Sequence, residues 1–308
     1  MIRAFVGYVT VIALVGCGGG GPSSLEDDRP SVVATTTIVG DLVRTIAGPE
    51  IQVDVLMGPG IDPHLYKASA GDVRRMSGAD AIFYNGLHLE GKMSEVLARM
   101  GERGAVTVAV AECLPPGELI ALQGFSGMHD PHVWFDVNLW AGTIGCTADA
   151  LAELDPLHAE QFRKRARAYS EELAALDAWA RGRAEDLRAD QRVLVTAHDA
   201  FSYFARAYGF EVRGLLGVST AAEAGTSDVQ NLARFIVERE VPAVFVETSV
   251  SPRYVEALQE AVSARGFVVE IGGTLHSDSL GGPDSSASSY VGTVRENVET
   301  VVTALGRE

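Results

Sequence analysis

The sequence predicts an α/β protein of two similar lobes, each a parallel sheet flanked by helices, joined by one long rigid helix, with a cleft between the lobes. Three observations lead there. Short β-branched runs alternate with helix-like segments, the rhythm of a parallel sheet covered on its faces. That alternation occurs twice, in 32–154 and again in 188–308. Between the two, residues 155–187 are rich in Ala, Leu, Glu and Arg, with no proline beyond Pro156 and one glycine, Gly182. An unbroken helix of that length would reach about 50 Å, enough to cross both lobes.

The chain opens with an address signal. Arg3 precedes an apolar run over 4–15, too short to span a bilayer but right for the core of a signal peptide. The run ends in Leu14-Val15-Gly16-Cys17, which resembles a bacterial lipobox. Residues 1–16 are therefore expected to be removed, leaving Cys17 as the lipid-bearing N-terminus. Several acyl chains hold a protein at a membrane where one would be marginal. Residues 17–31, beginning with four glycines after the cysteine, cannot bury apolar surface and read as a lipidated flexible tether. The expected location is the cell envelope, lipid-anchored and facing the periplasm or exterior.

In the first lobe a strand is expected over 32–38, a helix over 39–47 and a strand over 52–56. A Gly/Pro loop over 57–64 follows, then a helix over 69–77 and a strand over 79–84 closed by Asn85-Gly86. The second lobe repeats the scheme: strand 192–196, helix 200–208, strand 211–216, polar loop 217–227, helix 228–239 and strand 243–247. Ligands of open parallel sheets sit beyond the carboxyl ends of their strands.

A length of 308 residues, 47% apolar and 21% charged, suits two medium globular domains. The formal net charge of −16 argues against nucleic acid, whose phosphates would be repelled, and suits a protein that handles cations. Cys113 and Cys146 lack metal-ligand spacing. An exported location allows a disulfide between them, and two buried free thiols stand as the equal alternative.

Four residues fall where a metal ligand would be presented. His64 ends the Gly/Pro loop after a first-lobe strand. His132 lies in the stretch Gly127-Met-His-Asp-Pro-His-Val-Trp-Phe-Asp-Val-Asn-Leu-Trp140, just before an apolar helix-like run. His198 follows the strand 192–196, and Asp278 sits in a Gly/Ser-rich loop. Imidazoles with one carboxylate suit zinc, manganese or iron. Glu247 at a strand end, and Asp199 beside His198, are candidates to orient an imidazole or hold charge nearby.

The segments Gly60-Ile-Asp-Pro-His64, Asp130-Pro-His-Val-Trp-Phe-Asp136, Thr196-Ala-His-Asp-Ala-Phe-Ser-Tyr-Phe204, Val246-Glu-Thr-Ser249 and Gly273-Thr-Leu-His-Ser-Asp-Ser-Leu-Gly281 occur in an order that resembles a known family. It is the metal-binding substrate-binding lipoproteins of bacterial ABC importers for zinc and manganese, the TroA-like, ZnuA/PsaA group. The resemblance spans 32–306. It implies a carrier and not an enzyme, which delivers a divalent metal to an ABC permease and its ATPase. It also implies a ligand set of His64, His132, His198 and Asp278. Manganese-selective members carry glutamate where this chain has His198, so zinc is expected first and manganese second, since zinc binds imidazole more strongly. Residues 120–131 hold only His129 and Asp130, unlike the long His/Asp-rich loop of some zinc importers.

The other histidines, His88, His129, His158 and His276, read as solvated or hydrogen-bonded, with His129 and His276 as alternate contacts to the metal. Trp134 and Phe135 are expected to pack under His132. Metal affinity is expected to fall below about pH 6.5, where an ordinary imidazole takes a proton. Two rivals remain at this level. A zinc hydrolase would need an open fourth position, and an adhesin would keep the metal site beside its added role.

Overall fold

The computed structural model describes residues 29–125 and 127–306. The expected signal segment, Cys17 and most of the tether lie outside the described residues.

The first half runs β1 (Ser31–Ala34), α1 (Thr37–Ala47), β2 (Gln52–Val55), α2 (Ala70–Gly78), β3 (Ala81–Tyr84), α3 (Ser94–Glu102) and β4 (Val106–Ala109), then α4 (Val137–Ala141) and α5 (Ile144–Leu154). Its strands form one parallel sheet in the order β2-β1-β3-β4. The expected strand over 32–38 stops at Ala34 because Thr36 takes over as a helix cap, its hydroxyl accepting from the Val39 amide. Three elements of this half, α3, β4 and α5, were not foreseen. β4 is an edge strand with mostly half-buried residues, so it lacks the apolar run that marks a central strand.

The long α6 (Ala159–Glu185) follows. Its 27 residues make it about 40 Å long, shorter than expected because Asp155 and Pro156 belong to a separate turn that Asp155 caps. The second half is β5 (Val193–His198), α7 (Ser202–Tyr208), β6 (Glu211–Leu216), α8 (Thr226–Glu238), β7 (Ala243–Glu247), α9 (Arg253–Ser263), β8 (Glu270–Leu275) and α10 (Tyr290–Leu305). β5 pairs with β6 and β7 with β8, both parallel, and β5 packs beside β7.

One apolar core runs through both halves. It contains Val32 and Phe83 from the first-half sheet, Leu194 from the β5-β6 pair, Phe245 from the β7-β8 pair, and the α6 stripe Phe162, Ala166, Tyr169, Leu173, Leu176, Ala180 and Ala184. These α6 positions recur at helical spacing, so one face of the helix is buried along its whole length. Each half also has a second core of its own, built around Met76 and Leu97 in the first half and Ile236 and Leu258 in the second. Arg165 ties one end of α6 to the first half, donating to the Ile46 carbonyl at 2.8 Å and to Glu50 at 2.7 Å. Arg183 ties the other end to α10 through two bonds to Glu299, at 2.9 and 2.8 Å.

Cys113 and Cys146 are joined by a disulfide that links the segment after β4 to α5. It closes a loop of chain containing His132. Among the described residues no helix is long and apolar enough to cross a membrane.

Candidate metal centre

The tripeptide Asp-Pro-His occurs twice, at 62–64 and 130–132. Both copies use the same local device. The aspartate Oδ1 accepts the backbone amide of the histidine two residues on, at 2.8 Å from His64 and 2.9 Å from His132. This tight turn brings each imidazole out of its loop toward the cleft. The two copies then diverge. Asp62 Oδ2 accepts the Thr220 hydroxyl at 2.6 Å, tying the His64 loop to the other half of the molecule. Asp130 Oδ1 instead also accepts His132 Nδ1, at 2.7 Å.

His198 is the last residue of β5 and is held by Glu247, the last residue of β7. The Glu247 carboxylate accepts the His198 amide at 2.8 Å and its Nδ1 at 2.5 Å. The ends of neighbouring strands thus fix one imidazole at two points. Asp278 lies in the loop between β8 and α10. Its Oδ2 accepts the Ser249 hydroxyl at 2.9 Å, and the loop is anchored across the cleft by Trp134 Nε1, which donates to the Ser277 carbonyl at 3.0 Å. The Trp134 ring meets the edge of His132, with centroids 5.3 Å apart, and Phe135 packs on Phe201.

With their Nδ1 atoms committed to carboxylates, His132 and His198 turn Nε2 to one point. The four donor atoms of His64, His132, His198 and Asp278 lie within 4.8 Å of one another, and all four side chains are buried. Nε2 of His132 is 3.3 Å from that of His64 and 3.4 Å from that of His198. Asp278 Oδ1 is 3.5 Å from Nε2 of both His132 and His198. A tetrahedron with bonds of about 2.0–2.1 Å has edges of about 3.3–3.4 Å; these four separations approach that value, and the remaining donor pairs lie within 4.8 Å.

The carboxylates around the cluster set the charge that each imidazole favours. Burial disfavours charge on His132, but Asp130 and Asp278 outweigh it and raise the pKa to about 9. Burial likewise opposes charge on His198, and Glu247 and Asp278 overcome it, lifting the pKa well above the ordinary imidazole value. His64 has no carboxylate behind its ring. Burial, joined by repulsion from the other two imidazoles, lowers its pKa to about 3 despite Asp278. Asp278 is pushed up by burial, yet the facing imidazolium charges hold it well below the usual carboxylate range. The carboxylates thus favour a proton on His132 and on His198, and a metal ion would compete with those protons.

The fold does not bring every candidate to this point. Asp199 accepts from Ser202, three residues along the chain, at 3.0 Å, so of these two candidates it is Glu247 that bonds the His198 ring. His129 pairs with Ala121 in a small bridge, His158 with Asp155, and His276 with Glu296. His88, just after Asn85-Gly86 in the chain, is exposed. Asp130, Thr220 and Ser249 escaped sequence reasoning. The repeated Asp-Pro-His was a usable signal for Asp130; nothing local marks the other two.

A family model described as ZnuA, the periplasmic component A of a zinc-uptake complex, matches residues 32–304. The chain belongs to this family. The zinc-binding protein TroA of Treponema pallidum is 49% identical over 289 residues, covering 94% of this chain and 92% of that one. The manganese-binding lipoprotein MntA of Bacillus subtilis is 43% identical over 293 residues, covering 95% of each. The solved structure of the Treponema TroA superposes with a TM-score of 0.88, covering 91% of this chain and all of that one. This ZnuA-family chain is therefore an extracytoplasmic metal-binding protein of the substrate-binding kind that serves ABC importers.

Proposed function

We propose that this protein captures zinc ahead of manganese, through His64, His132, His198 and Asp278, and delivers it to a membrane permease driven by its ATPase. The observation that carries the proposal is the convergence of three imidazoles and one carboxylate within 4.8 Å, with His132 Nε2 at 3.3–3.5 Å from the other three donors. Three imidazoles favour zinc over manganese by the usual order of metal affinities. The relatives are named for different metals, zinc for TroA and manganese for MntA, so the donor set of this chain is what orders them here. In this reading residues 1–16 are the signal segment, Cys17 carries the lipid at the head of the 17–31 tether, and lobes 32–154 and 188–308 flank the linking segment 155–187.

The direct test is a competitive titration of zinc against manganese on the purified protein and on His132→Ala. One ion per chain, zinc preferred, and at least 100-fold weaker binding by the variant are expected. Zinc displaced by equimolar manganese would reverse the ordering. Undiminished binding by His132→Ala would remove the site.

A further inference from the structure

Asp278 offers two oxygens, and the fold treats them differently. Oδ1 faces the imidazoles and has no hydrogen-bond partner among the described residues. Oδ2 accepts the Ser249 hydroxyl at 2.9 Å. Ser249 Oγ is also 2.8 Å from Ser277 Oγ, so Ser277 can donate to Ser249 while Ser249 donates to Asp278. Ser249 lies two residues beyond the end of β7. The strand end that fixes His198 through Glu247 therefore also sets the pose of the aspartate.

We infer that the Ser249 hydroxyl biases Asp278 toward binding metal through one oxygen, and thereby biases the site toward zinc and against manganese. This deepens the metal-site reading above and rests on it. A hydrogen bond to a carboxylate is roughly twice as strong as one between neutral groups. Two-oxygen binding would turn Oδ2 to the ion and weaken that bond. One-oxygen binding leaves four donors, the number zinc takes in closed sites. Manganese favours larger, oxygen-rich shells, so withholding a fifth donor costs it more.

The test uses cobalt(II) as a probe, because its visible absorption is intense when four-coordinate and weaker when five-coordinate. Wild type, Ser249→Ala, Ser249→Val and Ser249→Thr are compared by cobalt spectrum and by competitive zinc and manganese titration. Loss of the hydroxyl in Ser249→Ala and Ser249→Val is expected to weaken the cobalt band and to lower the preference for zinc about tenfold, equivalent to about 1.4 kcal/mol. Ser249→Thr is expected to retain both properties. The Val and Thr variants have the same shape, so their difference isolates the hydroxyl even where Ser249→Ala is poorly folded. Identical spectra and preferences in Val and Thr variants would overturn the inference while leaving the metal site intact. A wild-type protein with no cobalt band, or with a band that survives His132→Ala, would overturn the site itself and this inference with it.

Discussion

His132 and His198 each rest against a carboxylate of their own, while His64 has none, and this difference governs how the site responds to pH. The raised pKa of His132, about 9 against an ordinary 6.5, means that its proton stabilises the metal-free fold. That contribution is fully present below about pH 6.5 and is lost as pH rises through about 9. Metal binding needs the same nitrogen bare, so the ion competes with the proton across this window. The sequence places the change near pH 6.5; the buried carboxylates move it upward. We predict that the rise in melting temperature caused by zinc grows from pH 6 to pH 9. Calorimetry in buffers of different ionisation enthalpy should also show protons released at pH 7.5. An increment independent of pH, with no proton release, would contradict the assigned roles of Asp130 and Glu247. At this scale the histidines were legible because each sits in a distinctive local string. Ser249 and Thr220 were not, because their partners lie 29 and 158 residues away in the chain and only folding reveals the contact.

Among the elements, strands β5 and β7 matter most, since their ends carry His198 and its carboxylate. β5 reads plainly from sequence as six consecutive buried residues. Less visible is how closely β6 approaches it. A Cβ on Gly214 would lie 2.3 Å from the Asp199 nitrogen and 2.5 Å from the His198 carbonyl carbon, both backbone atoms that cannot yield cheaply. Gly214→Ala is expected to destabilise the fold by about 1–3 kcal/mol and, by displacing His198, to weaken zinc binding about tenfold. Denaturant midpoints and zinc titrations check the two effects separately; wild-type zinc affinity in the variant would show that this contact does not position the ligand. The elements missing from the sequence reading failed for ordinary reasons. β4 is a half-buried edge strand and α3 buries only Leu97 and Met100, both too weak in pattern to register. The helix α6 was legible as continuous, and only its start was misplaced, by the capped turn at Asp155.

For the whole molecule, the decisive feature is that the two lobes share a core. Residues from both halves pack into one apolar cluster along α6, which is tied at opposite ends by Arg165 and Arg183. Wide separation of the lobes would expose this surface to water, at roughly 25 cal/mol for each Å² uncovered. The cleft is bridged as well by Asp62 with Thr220, the Gly60 amide with Ser279, and Trp134 with the Ser277 carbonyl. Metal exchange in such a body is expected to proceed through small tilts and movement of the ligand loops, not a wide opening. The shared core was not evident in the sequence, where the repeated βα pattern suggests two independent units. Apolar periodicity shows that a face is buried without showing what covers it.

The account turns on whether one ion is held by all four side chains at once. Anomalous diffraction at the zinc edge, from crystals of the zinc-loaded protein, tests this most directly. A single peak in the cleft, about 2.0–2.2 Å from Nε2 of His64, His132 and His198 and from an oxygen of Asp278, is the predicted result. A peak elsewhere, or one bound by fewer than these four residues, would contradict it.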